Sequence, residues 1–194
     1  MNDGSIEGAL AHIAAELRKG GQPFALVGGL AVSIRGEVRF TRDVDIAIAV
    51  SADAEVEKLV RELAPAGYAI IALVEHDTQQ RLATVRLRTP AGVVVDLLAA
   101  SSGIEHEVVA RAGAVAIEGA GSVPVARAEE LLALKVLSMT ERRPQDRMDA
   151  ESLLAVNPDL DLETVRDLLA RITARGFNRG QDLNEKLGRL TAAS

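Results

Sequence analysis

Apolar and polar positions alternate along this chain in two rhythms, and the change between them outlines the fold. Ile6 to Lys19 reads as an amphipathic helix, with Ser5 placed to cap its start and Gly20-Gly21 to stop it. Pro23 to Val27 is a short buried strand. Gly28-Gly29 breaks it, and Leu30 to Arg35 forms a helix ended by Gly36. Val44 to Val50 is a second strand. Asp53 to Leu63 is helical and closes at Pro65 and Gly67. Three strand-like runs follow, Tyr68 to Val74, Leu82 to Arg88 and Val93 to Leu98, the last two joined by a turn over Thr89-Pro-Ala-Gly92.

Beyond a short helix from Ile104 to Arg111 and short strands near Val115 and Val123, the two-residue rhythm ends. Helical periodicity then runs through Ala128–Thr140, Gln145–Ala155, Leu162–Ala174 and Gly180–Leu190. The expected fold class is α+β: a small mixed sheet flanked by helices, followed by a C-terminal helical lobe. The expected organisation is residues 1–125 as one domain and 126–194 as the lobe, with the boundary near Val125.

Composition narrows the chemistry. Hydrophobic residues make up 48% of the 194, so a substantial core is available, but aromatics are only 2%, so that core is aliphatic. With no cysteine, disulfides, thiolate metal sites and cysteine nucleophiles are excluded. No apolar run reaches membrane-spanning length and the first residues lack a signal core, so a cytoplasmic protein that does not engage membranes is expected. The net charge of −6 and the scarcity of aromatics argue against a broad nucleic-acid surface. Arginines nevertheless cluster at 35, 39 and 42 and again at 81, 86 and 88, and local basic patches bind phosphate on acidic proteins.

The informative stretch runs from Leu26 to Asp45. Asp43 and Asp45 stand two apart at the start of a strand, so both carboxylates leave one face. A divalent cation between them removes their mutual repulsion, and hard oxygen ligands suit Mg²⁺. Gly28 and Gly29 follow a strand and open a helix, where close backbone approach and free N–H groups suit a phosphate. Asp96 lies within the apolar run Gly92-Val-Val-Val-Asp-Leu-Leu98. An acid there is costly unless paired or metal-bound, and it could serve as a further metal ligand or as a general base. Each feature alone has a plainer reading: D-x-D as a solvated strand edge, Gly-Gly as a turn, Asp96 as a satisfied core acid. Their ordered combination raises the signal.

These residues resemble the nucleotidyltransferase superfamily with the DNA polymerase β-like fold: a Gly-Gly or Gly-Ser turn, a helix, D-x-D on the next strand and a third acid on a later one. They resemble more closely the AbiEii-type toxins and related short bacterial nucleotidyltransferases. Gly28-Gly29-Leu30-Ala31, Gly36 and Arg39-x-Thr41-x-Asp43-x-Asp45 match that pattern, as do Lys135 and, in a K-D-x-x-D motif preceded by arginine, Arg143, Asp146 and Asp149. Gln145 replaces that motif's lysine.

The resemblance implies a two-metal Mg²⁺ site on Asp43, Asp45 and Asp96, with Gly28, Gly29, Arg39, Thr41 and Lys135 toward the nucleotide. An NTP would be the donor and pyrophosphate the leaving group. The acceptor would be tRNA, or else a protein or small molecule, and a cognate antitoxin would be a further partner. The competing reading is a non-catalytic nucleotide-binding or antitoxin-like module, which would gain if Asp96 pointed away from the other two acids. Some single residues stay open. Arg39 contacts phosphate or neutralises the acids. Lys135 contacts phosphate or snorkels from the surface. Asp146 and Asp149 are expected to be solvated or paired with Arg142 and Arg143. Arg81, Arg86 and Arg88, the last two on one strand face, are expected to grip an acceptor's phosphates or to solvate a sheet face.

Overall fold

A computed structural model describes residues 4–192. Helix α1 (Ile6–Lys19) begins where expected, with the Ser5 hydroxyl accepting a hydrogen bond from the Gly8 N–H at 3.0 Å. Its buried stripe of Leu10, Ile13, Ala14 and Leu17 follows the helical repeat. Strand β1 (Phe24–Val27) is buried throughout and runs directly into α2 (Gly28–Arg35). The glycine pair therefore belongs to the first turn of the helix rather than to a turn before it. Strand β2 (Asp43–Ile48) starts at the first aspartate, and α3 (Asp53–Leu63) follows, its Glu55 carboxylate accepting from the Ser51 and Ala52 N–H groups.

The three-strand run is observed as β3 (Ala69–Glu75), β4 (Leu82–Arg88) and β5 (Val94–Leu98). Then come α4 (Glu105–Arg111), β6 (Gly113–Ile117) and β7 (Gly121–Val125). Four helices follow: α5 (Ala128–Ser138), α6 (Pro144–Val156), α7 (Leu162–Ala174) and α8 (Leu183–Ala192). The last helix starts later than the periodicity suggested, because Arg179 and Gly180 both adopt left-handed backbone.

Among the described residues seven strands form one mixed sheet in the order β3-β4-β5-β2-β1-β7-β6. β2 is parallel to β5 and antiparallel to β1, and β1 is parallel to β7. The short strands near Val115 and Val123 thus extend the main sheet. The register matters most for function. Arg86 on β4 lies opposite Asp96 on β5, Asp96 opposite Asp45 on β2, and Asp45 opposite Val27 on β1. Paired residues share a face, so the arginine, the two acids and the end of β1 make one row across the sheet. The intervening Val44, Ile46, Val85, Leu87, Val95 and Leu97 turn to the other face and are fully buried. Helix α5 packs on α2 and on α6, α7 and α8, which places the helical segment against the end of that row.

Candidate active site

Two adjoining hollows of about 390 and 540 Å³ open on this face. Both are lined by Asp45, Arg86, Asp96, Lys135, Arg143 and Asp146. Asp43, Asp45 and Asp96 each present a carboxylate oxygen, and the three oxygens lie within 4.8 Å of one another. Asp96 therefore faces the other two acids. Burial, reinforced by the Asp43 and Asp96 charges, pushes the Asp45 carboxyl up to about 7; the Lys135 charge and the Gly29 N–H pull the other way. Three carboxylates so close, one of them forced toward its neutral form, fit a divalent cation: the donor set is all oxygen, and a cation would relieve the repulsion.

The glycine pair is built into this arrangement. Gly28 has φ +65°, and a Cβ there would fall 1.8 Å from Asp45 Oδ2. A Cβ on Gly29 would fall 2.5 Å from the Arg39 guanidinium and 3.0 Å from Thr41 Oγ1. The Gly29 N–H, expected to face a phosphate, donates to the Asp45 carboxylate. Gly28→Ala is accordingly expected to displace Asp45 and to cut transfer by more than tenfold. It should also destabilise the fold by about 1–2 kcal/mol for the left-handed backbone alone. Initial-rate assays and thermal melts check both, and a Gly28→Ala variant with wild-type rate would show that Asp45 does not need its observed position.

Asp96 carries a partner that its place in the sequence did not assign. Arg86 donates to both its oxygens, Nε to Oδ1 at 2.8 Å and Nη2 to Oδ2 at 2.6 Å. The hydrogen-bonded carboxylate raises the Arg86 pKa above its usual value. The signal was in the sequence, since the Thr89–Gly92 turn sets a hairpin register that puts Arg86 opposite Asp96. Arg81 and Arg86 thus both hold acids, Arg81 bonding Asp53 at 2.7 Å.

The helical segment supplies the opposite wall, and here the expectation of solvated acids is corrected. Asp146 and Asp149 are buried, and Lys135, 9% exposed, is not a surface lysine. Lys135 Nζ lies 2.9 Å from Asp146 Oδ1 and 2.7 Å from Asp149 Oδ2. Arg143 pairs with Asp146, as the sequence allowed, but Arg142 pairs with neither acid. Asp149 instead receives Arg39, Nε at 2.7 Å and Nη2 at 3.0 Å, together with the Gln145 amide at 2.9 Å. Burial opposes its ionisation, yet the hydrogen bonds from Lys135, Gln145 and Arg39 hold its carboxyl below the ordinary value. Arg39 therefore neutralises an acid, but Asp149 rather than Asp43 or Asp45. Nothing local joins Arg39 to Asp149, 110 residues away. Thr41 Oγ1 donates to Asp43 Oδ1 at 3.2 Å.

The fold is one that nucleotidyltransferases share. Two solved structures share the fold. One is the antibiotic-resistance factor ANT(2'')-Ia in solution, at TM-score 0.55 and 20% identity over 88% of this chain and 94% of that one. The other is an antigenic nucleotidyltransferase-like protein from Paracoccidioides brasiliensis, at TM-score 0.51 and 20% identity over 88% of each chain. No curated protein sequence matches the chain significantly. A family model does, that of the nucleotidyl transferase AbiEii toxin of type IV toxin–antitoxin systems, over residues 9–192. The chain belongs to that family. No helix among the described residues is long and apolar enough to cross a membrane.

Proposed function

We propose that the protein transfers a nucleoside monophosphate from an NTP to a hydroxyl at the end of an RNA, tRNA being the first candidate. The observation that carries this reading is the convergence of Asp43, Asp45 and Asp96 beside Gly28, with Lys135 across the cleft. Asp43 and Asp45 would hold Mg²⁺, which when bound screens the triphosphate charge and polarises the α-phosphate. Asp96 accepts the proton as the acceptor oxygen bonds to the α-phosphorus and the bond to the bridging oxygen breaks, releasing pyrophosphate. Arg86 fixes the rotamer of that carboxylate so that it faces the acceptor.

The RNA end is supported by cations on the rim. Arg42 and Arg142 line the larger hollow and make no ion pair among the described residues. Arg179, on the left-handed α7–α8 turn, lines the other hollow, where its guanidinium donates to the Ser101 carbonyl at 3.3 Å. A cognate antitoxin belongs to the same reading. The test incubates the protein with each labelled NTP, Mg²⁺ and total RNA. Label is expected in an RNA band with wild type and absent with an Asp43→Asn, Asp45→Asn double variant. Equal labelling by both proteins would refute the catalytic assignment, and label confined to a small molecule would refute the acceptor.

A further inference from the structure

Only four aromatic side chains occur in the chain, and three of them are in the core: Phe24, Tyr68 and Phe177 are 6%, 7% and 8% exposed. Phe40 is 79% exposed. It lies in the loop between α2 and β2, on the wall of the hollow that also contains Asp43, Asp45 and Asp96. The loop does not leave the ring there by looseness, for it is tied down on both sides of Phe40. The Arg39 N–H donates to Ser33 Oγ at 3.2 Å, and the Arg39 guanidinium is fixed on buried Asp149. Arg39 Nη1 also donates to the Phe40 carbonyl at 3.2 Å. On the other side, Thr41 is bonded to Asp43. The phenyl ring is thus held out over the cleft while its backbone is anchored to the site's own acids.

Arg42 completes the arrangement. Its guanidinium carbon sits over the Phe40 ring, 5.7 Å from the centroid. Arg142 lines the same hollow, and like Arg42 it is without an ion pair among the described residues. An exposed aromatic face beside unpaired guanidinium groups suits a flat π-system joined to phosphate. A nucleotide supplies both parts, a flat base and a phosphate.

We infer that Phe40 and Arg42 form a stacking platform for a nucleobase at the mouth of the active-site cleft. The inference rests on the nucleotidyltransferase reading given above and adds the residue that would read or grip the base. The base has two sources, the donor NTP and the terminal nucleotide of an RNA acceptor, and one experiment separates them.

The chain has no tryptophan, so Phe40→Trp creates a single fluorophore at the platform. Three solutes are titrated in Mg²⁺: a non-hydrolysable α,β-methylene NTP analogue, ribose 5′-triphosphate, and a short single-stranded RNA. Saturable quenching by the analogue but not by ribose triphosphate assigns the donor base. Quenching by the RNA alone assigns the acceptor base. A Val156→Trp protein, with its fluorophore at the end of α6, is expected to show no quenching. Phe40→Ala is expected to weaken whichever ligand quenches by about fivefold to a hundredfold. Equal quenching by ribose triphosphate, or none by any solute, overturns the platform. Equilibrium dialysis of the wild type with labelled analogue keeps the two readings apart. Binding without quenching removes only the platform, whereas absence of both binding and RNA labelling removes the nucleotidyltransferase reading as well.

Discussion

Asp45→Asn is expected to abolish nucleotide transfer and, in the metal-free protein, to raise thermal stability. The two effects share one cause. Asp45 sits half-buried beside Asp43 and Asp96, and desolvation together with their charges pushes its carboxyl up to about 7 in the folded chain against about 3.8 unfolded. Between those values the folded protein holds a proton that the unfolded chain has released. Stability therefore falls as pH rises from about 4 to about 7, and the loss is complete above the folded value. The amide cannot ionise, so it escapes that cost. At pH 8 without divalent cations the variant should melt at least about 2–4 °C above wild type, the shift that accompanies 1 kcal/mol in a chain of this size. The difference should close as the pH is lowered toward 4.

Added Mg²⁺ should raise the wild-type melting temperature at pH 8 and leave the variant nearly unmoved, because the amide is a poor ligand for a hard cation. Removal of a metal worth several kcal/mol in the transition state should lower the transfer rate by about a thousandfold or more. A variant that melts below wild type at pH 8 and pH 5 alike would show that Asp45 is a structural acid rather than a strained one.

That strain explains which parts of the site could be read from the sequence. Asp43, Asp45 and the glycine pair lie within one local stretch, and strand alternation alone puts the two acids on one face. Asp96 is separated from them by three elements, but its lone charge in an apolar strand marked it. Its partner Arg86 is also accessible through the hairpin register, whereas charge composition alone places it only within a basic group and says nothing about pairing. The second wall was least legible. Asp146 and Asp149 stand at i, i+3 on a helix with arginines nearby, which is the usual pattern of a solvated face. What buries them is the packing of α5 and α6 against each other and against α2, a long-range arrangement with no periodic signature. The exposure of Phe40 was hidden for the opposite reason: a phenylalanine in an aliphatic chain is expected inside, and only the anchoring of Arg39 and Thr41 holds it out.

Lys135→Met carries the second large expectation, and it tests whether the helical segment belongs to the catalytic unit. Lys135 Nζ lies between two buried carboxylates, 2.9 Å from Asp146 and 2.7 Å from Asp149. Methionine matches much of its volume and removes its charge. Removing one partner from a buried ion pair typically costs about 3–5 kcal/mol, since the charge left behind is uncompensated. Here Arg39 still reaches Asp149 and Arg143 still reaches Asp146, so the lower end of that range applies. A melting temperature lower by about 6–12 °C is expected.

A further Asp146→Asn change should recover part of that loss, because it removes one of the two buried charges left under-compensated and leaves only exposed Arg143 without its acid. The pH profile of Mg²⁺ binding separates this structural role from a part in the site's electrostatics. Lys135 also lowers the Asp45 pKa across the cleft. Its loss should raise that pKa further, so that the pH at which Mg²⁺ binding reaches half its plateau moves upward. The Lys135→Met, Asp146→Asn protein, although partly restored in stability, should keep that shifted metal-binding profile. Recovery of both stability and the wild-type profile would mean that Lys135 serves the buried acids alone, and that the helical wall holds the cleft without taking part in its electrostatics.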